Sequence, residues 1–340
     1  MNMKNIVQKL KFTSNKNIVV LGDFCLDKYI YSSPEEDDVS VESGMPAWQI
    51  YNKKTAAGVA GTITNNLCAL GAHVTCVGIV GDDGEGYDLC KELKKIGVDT
   101  TYLILSEDIV TATYLKTMRK KGEAYEENLR FDFRNRQIVS NELLDRLLVN
   151  FKTAIKDADG VVISDQFYER NSGVVGDYLR EKICEVVNEI NVPVLVDSRA
   201  FASKFKNMYI KCNNYELMKY CGAIGSPENL DDVFLGSKNL KEQIGSPIFI
   251  TCNKDGIFVF DEGITHVPTY PVSGPIDVTG AGDASNAGII IALSSGLTPT
   301  EAAMVACAVS SITIEKIGET GTASMDEVIK RLYVIDEMMK

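Results

Sequence analysis

Residues 277–290 read Asp277-Val278-Thr279-Gly280-Ala281-Gly282-Asp283-Ala284-Ser285-Asn286-Ala287-Gly288-Ile289-Ile290. Three small residues, Gly280, Ala281 and Gly282, run straight into an apolar segment, which predicts a helix over 283–295. Small side chains let backbone N–H groups approach an anion closely, and a helix start adds unpaired donors and a partial positive charge. Asp283 falls in the first turn, beside that cradle. The N–H groups would hold negative charge developing on a transferred phosphoryl group. A carboxylate at the same point can take the proton of an attacking hydroxyl. Taken alone, Gly-Ala-Gly-Asp is equally a tight turn closed by an aspartate cap, a position that Asp favours anyway.

Working outward, short apolar runs alternate with helical patterns. Asn17–Leu21 ends in Gly22 and Asp23 and reads as a buried strand with functional groups at its carboxyl end. Segments 61–70 and 84–96 read as helices around a strand at 73–80. Further strands are expected at 160–164, 192–196 and 208–211, with a helix over 172–190. Strands at 248–251 and 257–260 flank the turn Asn253-Lys254-Asp255-Gly256, and a last helix covers 299–315. This rhythm predicts an α/β fold with a mostly parallel sheet covered on both faces. Ligands of such sheets lie beyond the carboxyl ends of the strands. Residues 29–55 and 111–133 differ: the first is acidic at Glu35–Asp38 and then mixed, the second β-branched and alternating. Both are expected to project from the core as strands.

Composition narrows the function classes. The 340 residues carry a formal net charge of -12 and no long basic tract, which argues against nucleic acid as a partner. No apolar run approaches the ~20 residues of a membrane span, and the N-terminus lacks the apolar core of a signal peptide. Nine scattered cysteines without a Cys-x-x-Cys pair fit free thiols in a reducing cytoplasm. A P-loop and the protein-kinase signatures are absent. Gly22-Asp23-Phe24-Cys25 does not supply the Gly-x-Gly-x-x-Gly of a nicotinamide-dependent oxidoreductase. Neither His73 nor His266 has a pattern suggesting acid–base work.

Segment 277–290 resembles the second signature of the ribokinase-like (PfkB) sugar kinases over fourteen consecutive positions. The resemblance implies a three-layer sandwich, a single kinase domain over 1–340, with lid strands from about 29–55 and 111–133. It implies ATP, Mg²⁺ and K⁺ as cofactors and catalysis by Asp283 with Gly280, Ala281 and Gly282. It places Asp27, which closes the run Gly22-Asp23-Phe24-Cys25-Leu26-Asp27, on sugar hydroxyls together with Gly58 and Thr62. Asn213-Asn214-Tyr215-Glu216 fits the family's Asn-x-x-Glu, so that Asn213 and Glu216 organise Mg²⁺ and phosphate, Glu216 through water. Thr251 and Gly256 resemble the nucleotide side, and Cys307 stands near the adenine position. Asp277 and Thr279, with the loop 313–322, resemble the monovalent-cation site. A homodimer through the lids is also implied.

Within the family, three stretches resemble the kinase half of the bacterial heptose-7-phosphate kinase/adenylyltransferases: 21–29, the spacing of Leu115-Lys116 to Arg130-Phe131-Asp132-Phe133, and 276–283. Adenylyl transfer is not expected, since the chain ends near residue 340. Lys116, Arg119, Lys120 and Arg130 form a positive cluster that predicts an anionic acceptor, with Lys116 and Arg130 the contacts. Solvated charges guarding an exposed sheet edge would have the same sequence. The family's Gly-Gly-x-x-Asn has become Gly58-Val59-Ala60-Gly61-Thr62, a departure on the sugar side. A nucleoside kinase of the same fold and a sugar-binding pseudokinase remain as alternatives.

Overall fold

The computed structural model describes residues 3–317 and 320–340. After α1 (Met3–Leu10) the chain enters the core along β1 (Asn17–Gly22). It then makes a first excursion: β2 (Phe24–Ser32), the short pair β3 (Asp38–Val39) and β4 (Pro46–Ala47), and β5 (Ile50–Val59). The core resumes with α2 (Ala60–Ala69), β6 (His73–Gly81), α3 (Gly84–Lys95) and β7 (Asp99–Ser106). A second excursion is the hairpin β8 (Thr113–Lys121) and β9 (Ala124–Phe133). There follow α4 (Asn141–Ala154), β10 (Gly160–Asp165), α5 (Asp177–Val187), β11 (Val194–Ser198), β12 (Tyr209–Asn213), α6 (Asn214–Tyr220) and α7 (Leu230–Ile244). The chain finishes with β13 (Ile248–Thr251), β14 (Ile257–Phe260), β15 (Ile264–Val267), α8 (Ala281–Ser294), α9 (Pro299–Thr313) and α10 (Met325–Met338).

Nine strands form the central sheet in the order β15-β14-β13-β12-β11-β10-β1-β6-β7. From β12 and β13 through to β7 every pairing is parallel, while β14 and β15 return antiparallel. Because successive side chains alternate across a strand, β1 sends Ile18 and Val20 into one core and Val19 and Leu21 into the other. The first core is covered by α2, α8, α9 and α10, the second by α4, α5 and α7. Apolar residues on both faces are what a doubly covered parallel sheet requires.

The two excursions pair with each other. They form a four-stranded sheet in the order β5-β2-β8-β9, with β2 and β8 parallel. Its strands reach deeper toward the core than 29–55 suggested, since β2 starts at Phe24 and β5 runs to Val59. Helix α3 braces one face through Lys28–Glu85 at 2.9 Å and Thr55–Glu92 at 2.8 Å. The register Asp27↔Tyr114 and Tyr29↔Lys116↔Arg130 puts these residues on the other face.

One expected helix is shorter than its pattern. The segment 172–190 becomes helical only at Asp177. The buried carboxylate of Asp23 explains this: it accepts from Gln166 N at 2.9 Å and Val174 N at 2.8 Å, which draws the preceding loop away from a helical course. Elements α1, β7, α4, α7, β15 and α10 were not anticipated. Among the described residues no helix is long and apolar enough to cross a membrane.

Candidate functional site

Gly280 is the N-cap of α8 at φ 78, and a Cβ there would stand 2.7 Å from Thr320 Cγ2, so the position calls for glycine. No side chain caps this helix, and its first-turn N–H groups have no intrahelical acceptor. Asp283 lies in that turn. Burial, and next the charge of Asp197, push its carboxyl up to about 7, against the pull of Lys211. It also feels Asp27 from the sheet across the cleft.

Lys211, on β12, was not singled out from the sequence. Its Nζ lies 3.0 Å from Asp197 Oδ2 and 3.1 Å from where a Cβ on Gly282 would sit. Burial works against its charge, yet Asp197 and Glu216 hold its pKa above the ordinary lysine range. Asn286, one turn beyond Asp283, donates to the same Asp197 oxygen. Arg199, exposed just past β11, acts electrostatically on Asp283 and Glu216. Lysine, aspartate and asparagine thus converge beneath the glycine turn from β12, β11 and α8.

On the opposite wall Asp27 is partly buried; burial raises its pKa while Lys116 and Arg130 pull it back. Both cations act electrostatically on Asp27. Lys116 Nζ stands over the Tyr29 ring at 5.1 Å and Arg130 over Tyr114 at 4.5 Å, while Arg130 also pairs with Asp132 at 2.6 Å. Arg119 does not belong to the cluster. It stacks on Trp48 at 4.2 Å and pairs with Asp37, because the strand alternation turns it to the other face, and Lys120 is exposed. A cleft of about 640 Å³ lies between Tyr29, Tyr31, Tyr125 and Lys116 on the sheet and Asp277, Thr279 and Thr320 on the core side.

Gly58 backs directly on Asp27; a Cβ there would be 2.6 Å from Asp27 Oδ2. Thr62 is buried, its hydroxyl directed at Ala57 O at 3.4 Å and its methyl toward Gly280. Its methyl packs against the cradle. Between them, Val59 has φ 56 and ψ -112, a region that β-branched residues avoid; such strain costs about 1–3 kcal/mol.

Asn213 and Glu216 form a capping box on α6: Asn213 Oδ1 accepts from Glu216 N at 2.8 Å and Glu216 Oε2 from Asn213 N at 2.9 Å. Burial raises the Glu216 pKa, with Lys211 opposing. Thr251 ends β13 beside Asn213, and Gly256 closes the β13–β14 turn. Cys307 is only 2% exposed, its thiol directed at Val267 O at 3.8 Å. It is a core residue of α9. Asp277 accepts from Thr279 N at 3.0 Å and donates its own N–H to Ile314 O at 2.8 Å, bringing the turn against the loop 313–322. Of that loop, Gly318 and Glu319 lie outside the described residues. Among the described residues no cluster of three His, Cys, Asp or Glu side chains could hold a metal alone.

Sequence and fold comparisons bear on the family and the fold. The bifunctional protein HldE of Aliarcobacter butzleri is 29% identical over 315 residues, 92% of this chain and 63% of that protein. The bifunctional protein HldE of Sulfurimonas denitrificans is 28% identical over 314 residues, with the same coverage of 92% and 63%. The chain thus spans under two thirds of the length of these relatives. Escherichia coli phosphofructokinase-2 in complex with potassium shares the fold at a TM-score of 0.76 and 16% identity, covering 94% of this chain and 99% of that one. Arabidopsis thaliana ribokinase complexed with ribose and ATP does so at 0.70 and 18%, covering 93% and 98%. The family profile described as pfkB family carbohydrate kinase matches residues 15–325, and with nearly the whole chain inside that match, the protein belongs to the pfkB family of carbohydrate kinases.

Proposed function

We propose that this kinase transfers the γ-phosphoryl group of ATP, in line, to a hydroxyl of a sugar phosphate, with Asp283 as the base. One observation carries the reading: a carboxyl raised to about 7 stands in the uncapped first turn of α8, above a buried lysine. Asp283 accepts the proton of the acceptor hydroxyl as it attacks. The N–H groups of the Gly280–Asp283 turn and the ammonium of Lys211 take up the charge on the transferred group, while Asp197 and Asn286 hold Lys211 in place. Phosphoryl transfer is mostly positioning and electrostatics, so a single carboxylate suffices as base.

Asp27 takes sugar hydroxyls, and Lys116 and Arg130 take the anionic group of the acceptor. Their effect on Asp27 supports this, as does the likeness to the heptose-7-phosphate kinases. The nucleotide lies along Thr251 and Gly256. Mg²⁺ fits Glu216 through water, because one Glu216 oxygen remains outside the capping box and Mg²⁺ usually keeps several waters and binds substrate phosphates; it would neutralise phosphate charge. Asp277, Thr279 and carbonyls of the neighbouring loop are the place for K⁺. The four-stranded sheet acts as the lid of one kinase domain. Leu129, Phe131 and Phe133, exposed on one face of the edge strand β9, support pairing of two lids in a homodimer.

ADP release across free hexoses, pentoses, ketoses, nucleosides and sugar phosphates tests the reading. The expected result is acceptor-dependent release that is highest with a sugar phosphate. Release with nucleosides alone, or with no acceptor, contradicts it.

A further inference from the structure

Val59 joins the lid to the core. It is the last residue of β5, pairs with Phe24 at the root of β2 and is the N-cap residue of α2. Its backbone at φ 56 and ψ -112 is open to glycine without cost and hostile to a β-branched side chain. A valine persists in such a conformation only where the surroundings over-determine it, and such outliers gather at functional sites.

The side chain is 9% exposed and packs with Cys25, Tyr114 and Phe167 in a small apolar cluster separate from the two main cores. That cluster backs onto the acceptor side of the cleft. Cys25 is two residues from Asp27, the adjoining Gly58 touches Asp27, and the Tyr114 ring carries Arg130. We infer that Val59 determines acceptor specificity: its isopropyl group closes the inner wall of the acceptor pocket beside Asp27, so that the acceptor must present a C–H face there and not a hydroxyl or a branch. A hydroxyl set against Val59, Phe167 and the buried Cys25 thiol would lose water without gaining a good acceptor or donor.

The inference rests on the acceptor site proposed above, so its test reads binding as well as turnover. Wild type, Val59→Ala and Val59→Gly are titrated calorimetrically, in the presence of a non-hydrolysable ATP analogue, with pairs of sugar phosphates differing by one hydroxyl or methyl branch. ADP release is measured on the same pairs. One group in a pocket is worth about 10–200-fold in discrimination, so both variants should shift the Kd ratio within such a pair toward the bulkier member by about tenfold. ATP affinity should be unchanged. Val59→Gly should melt no lower than Val59→Ala, the reverse of the ordinary order, because only glycine relieves the positive φ. Unchanged Kd ratios in both variants overturn the inference, whatever happens to stability. A shift in Val59→Gly alone also overturns it, since backbone geometry and not the side chain would then set the pocket. Normal acceptor binding with no ADP release from wild type instead defeats the kinase reading and leaves the Kd ratios to decide this one.

Discussion

On the core side of the cleft, Lys211, Asp197 and Asn286 form one hydrogen-bonded set beneath the glycine turn, drawn from two adjacent strands and a helix, and Asp283 in that turn feels the charges of Asp197 and Lys211. On the lid side, Asp27, Lys116 and Arg130 stand on a sheet whose edge strand β9 is exposed along its whole length, and their cations rest on tyrosine rings. Charge that must be in place before the reaction is kept among buried partners, where it is strong and costs no reorganisation. The charge proposed to meet the acceptor sits on a sheet with an exposed edge. In the proposed reading, chemistry falls to the core wall and recognition to the lid wall.

Substitutions on the two walls can break that assignment. Asp283→Asn should have the largest effect, lowering kcat by about 10²–10⁴-fold, the usual worth of a positioned base. It should do so without loss of stability. A carboxyl whose pKa is pushed up to about 7 on folding favours its protonated form in the native state. Its ionisation therefore weakens the fold as pH climbs through that window. At pH 8 the Asn variant should melt at or above wild type; a variant that melts far lower would mean that Asp283 is a structural cap. Lys211→Met comes next, with turnover down about 10²–10³-fold and, since Asp197 loses its buried partner, stability down by about 3–5 kcal/mol in denaturant titration. Unchanged values of both would remove Lys211 from the site.

Lid substitutions should act on one substrate only. Lys116→Ala and Arg130→Ala should each raise the KM of a sugar phosphate about tenfold, a loss near 1.4 kcal/mol, and leave the ATP KM alone. Equal effects on both substrates would dissolve the division between the walls. Arg119→Ala should be the smallest perturbation. Its charge is spent on Asp37 and Trp48 on the far face, so acceptor kinetics should match wild type.

How much of this was legible in the sequence follows from where each signal resides. The turn at 280–283 declares itself because small residues, a carboxylate and the helix lie next to one another. The same holds for β1, α2 and the β13–β14 hairpin. Lys211 left no such mark. A lysine in a short strand looks like an edge charge; its partner Asp197 comes from the neighbouring strand, and Asn286, which donates to Asp197, from a helix far along the chain. Helix α4 was readable in principle, with Ser140 as cap and Leu143, Leu147 and Phe151 on one face. Arg119 was grouped with Lys116 by charge alone, although alternation along the regular strand β8 puts residues three apart on opposite faces. The strain at Val59 is a backbone property and is invisible in composition.

The pH dependence of kcat/KM most directly tests whether Asp283 carries the proton. That profile reports the free enzyme's essential base. With a carboxyl at about 7, the rate should fall about tenfold per pH unit below pH 7, far above the range of an ordinary carboxylate. The residual activity of Asp283→Asn should be flat over the same interval. A wild-type profile flat from pH 5 to 8, or an acid limb that survives in Asp283→Asn, would contradict the account.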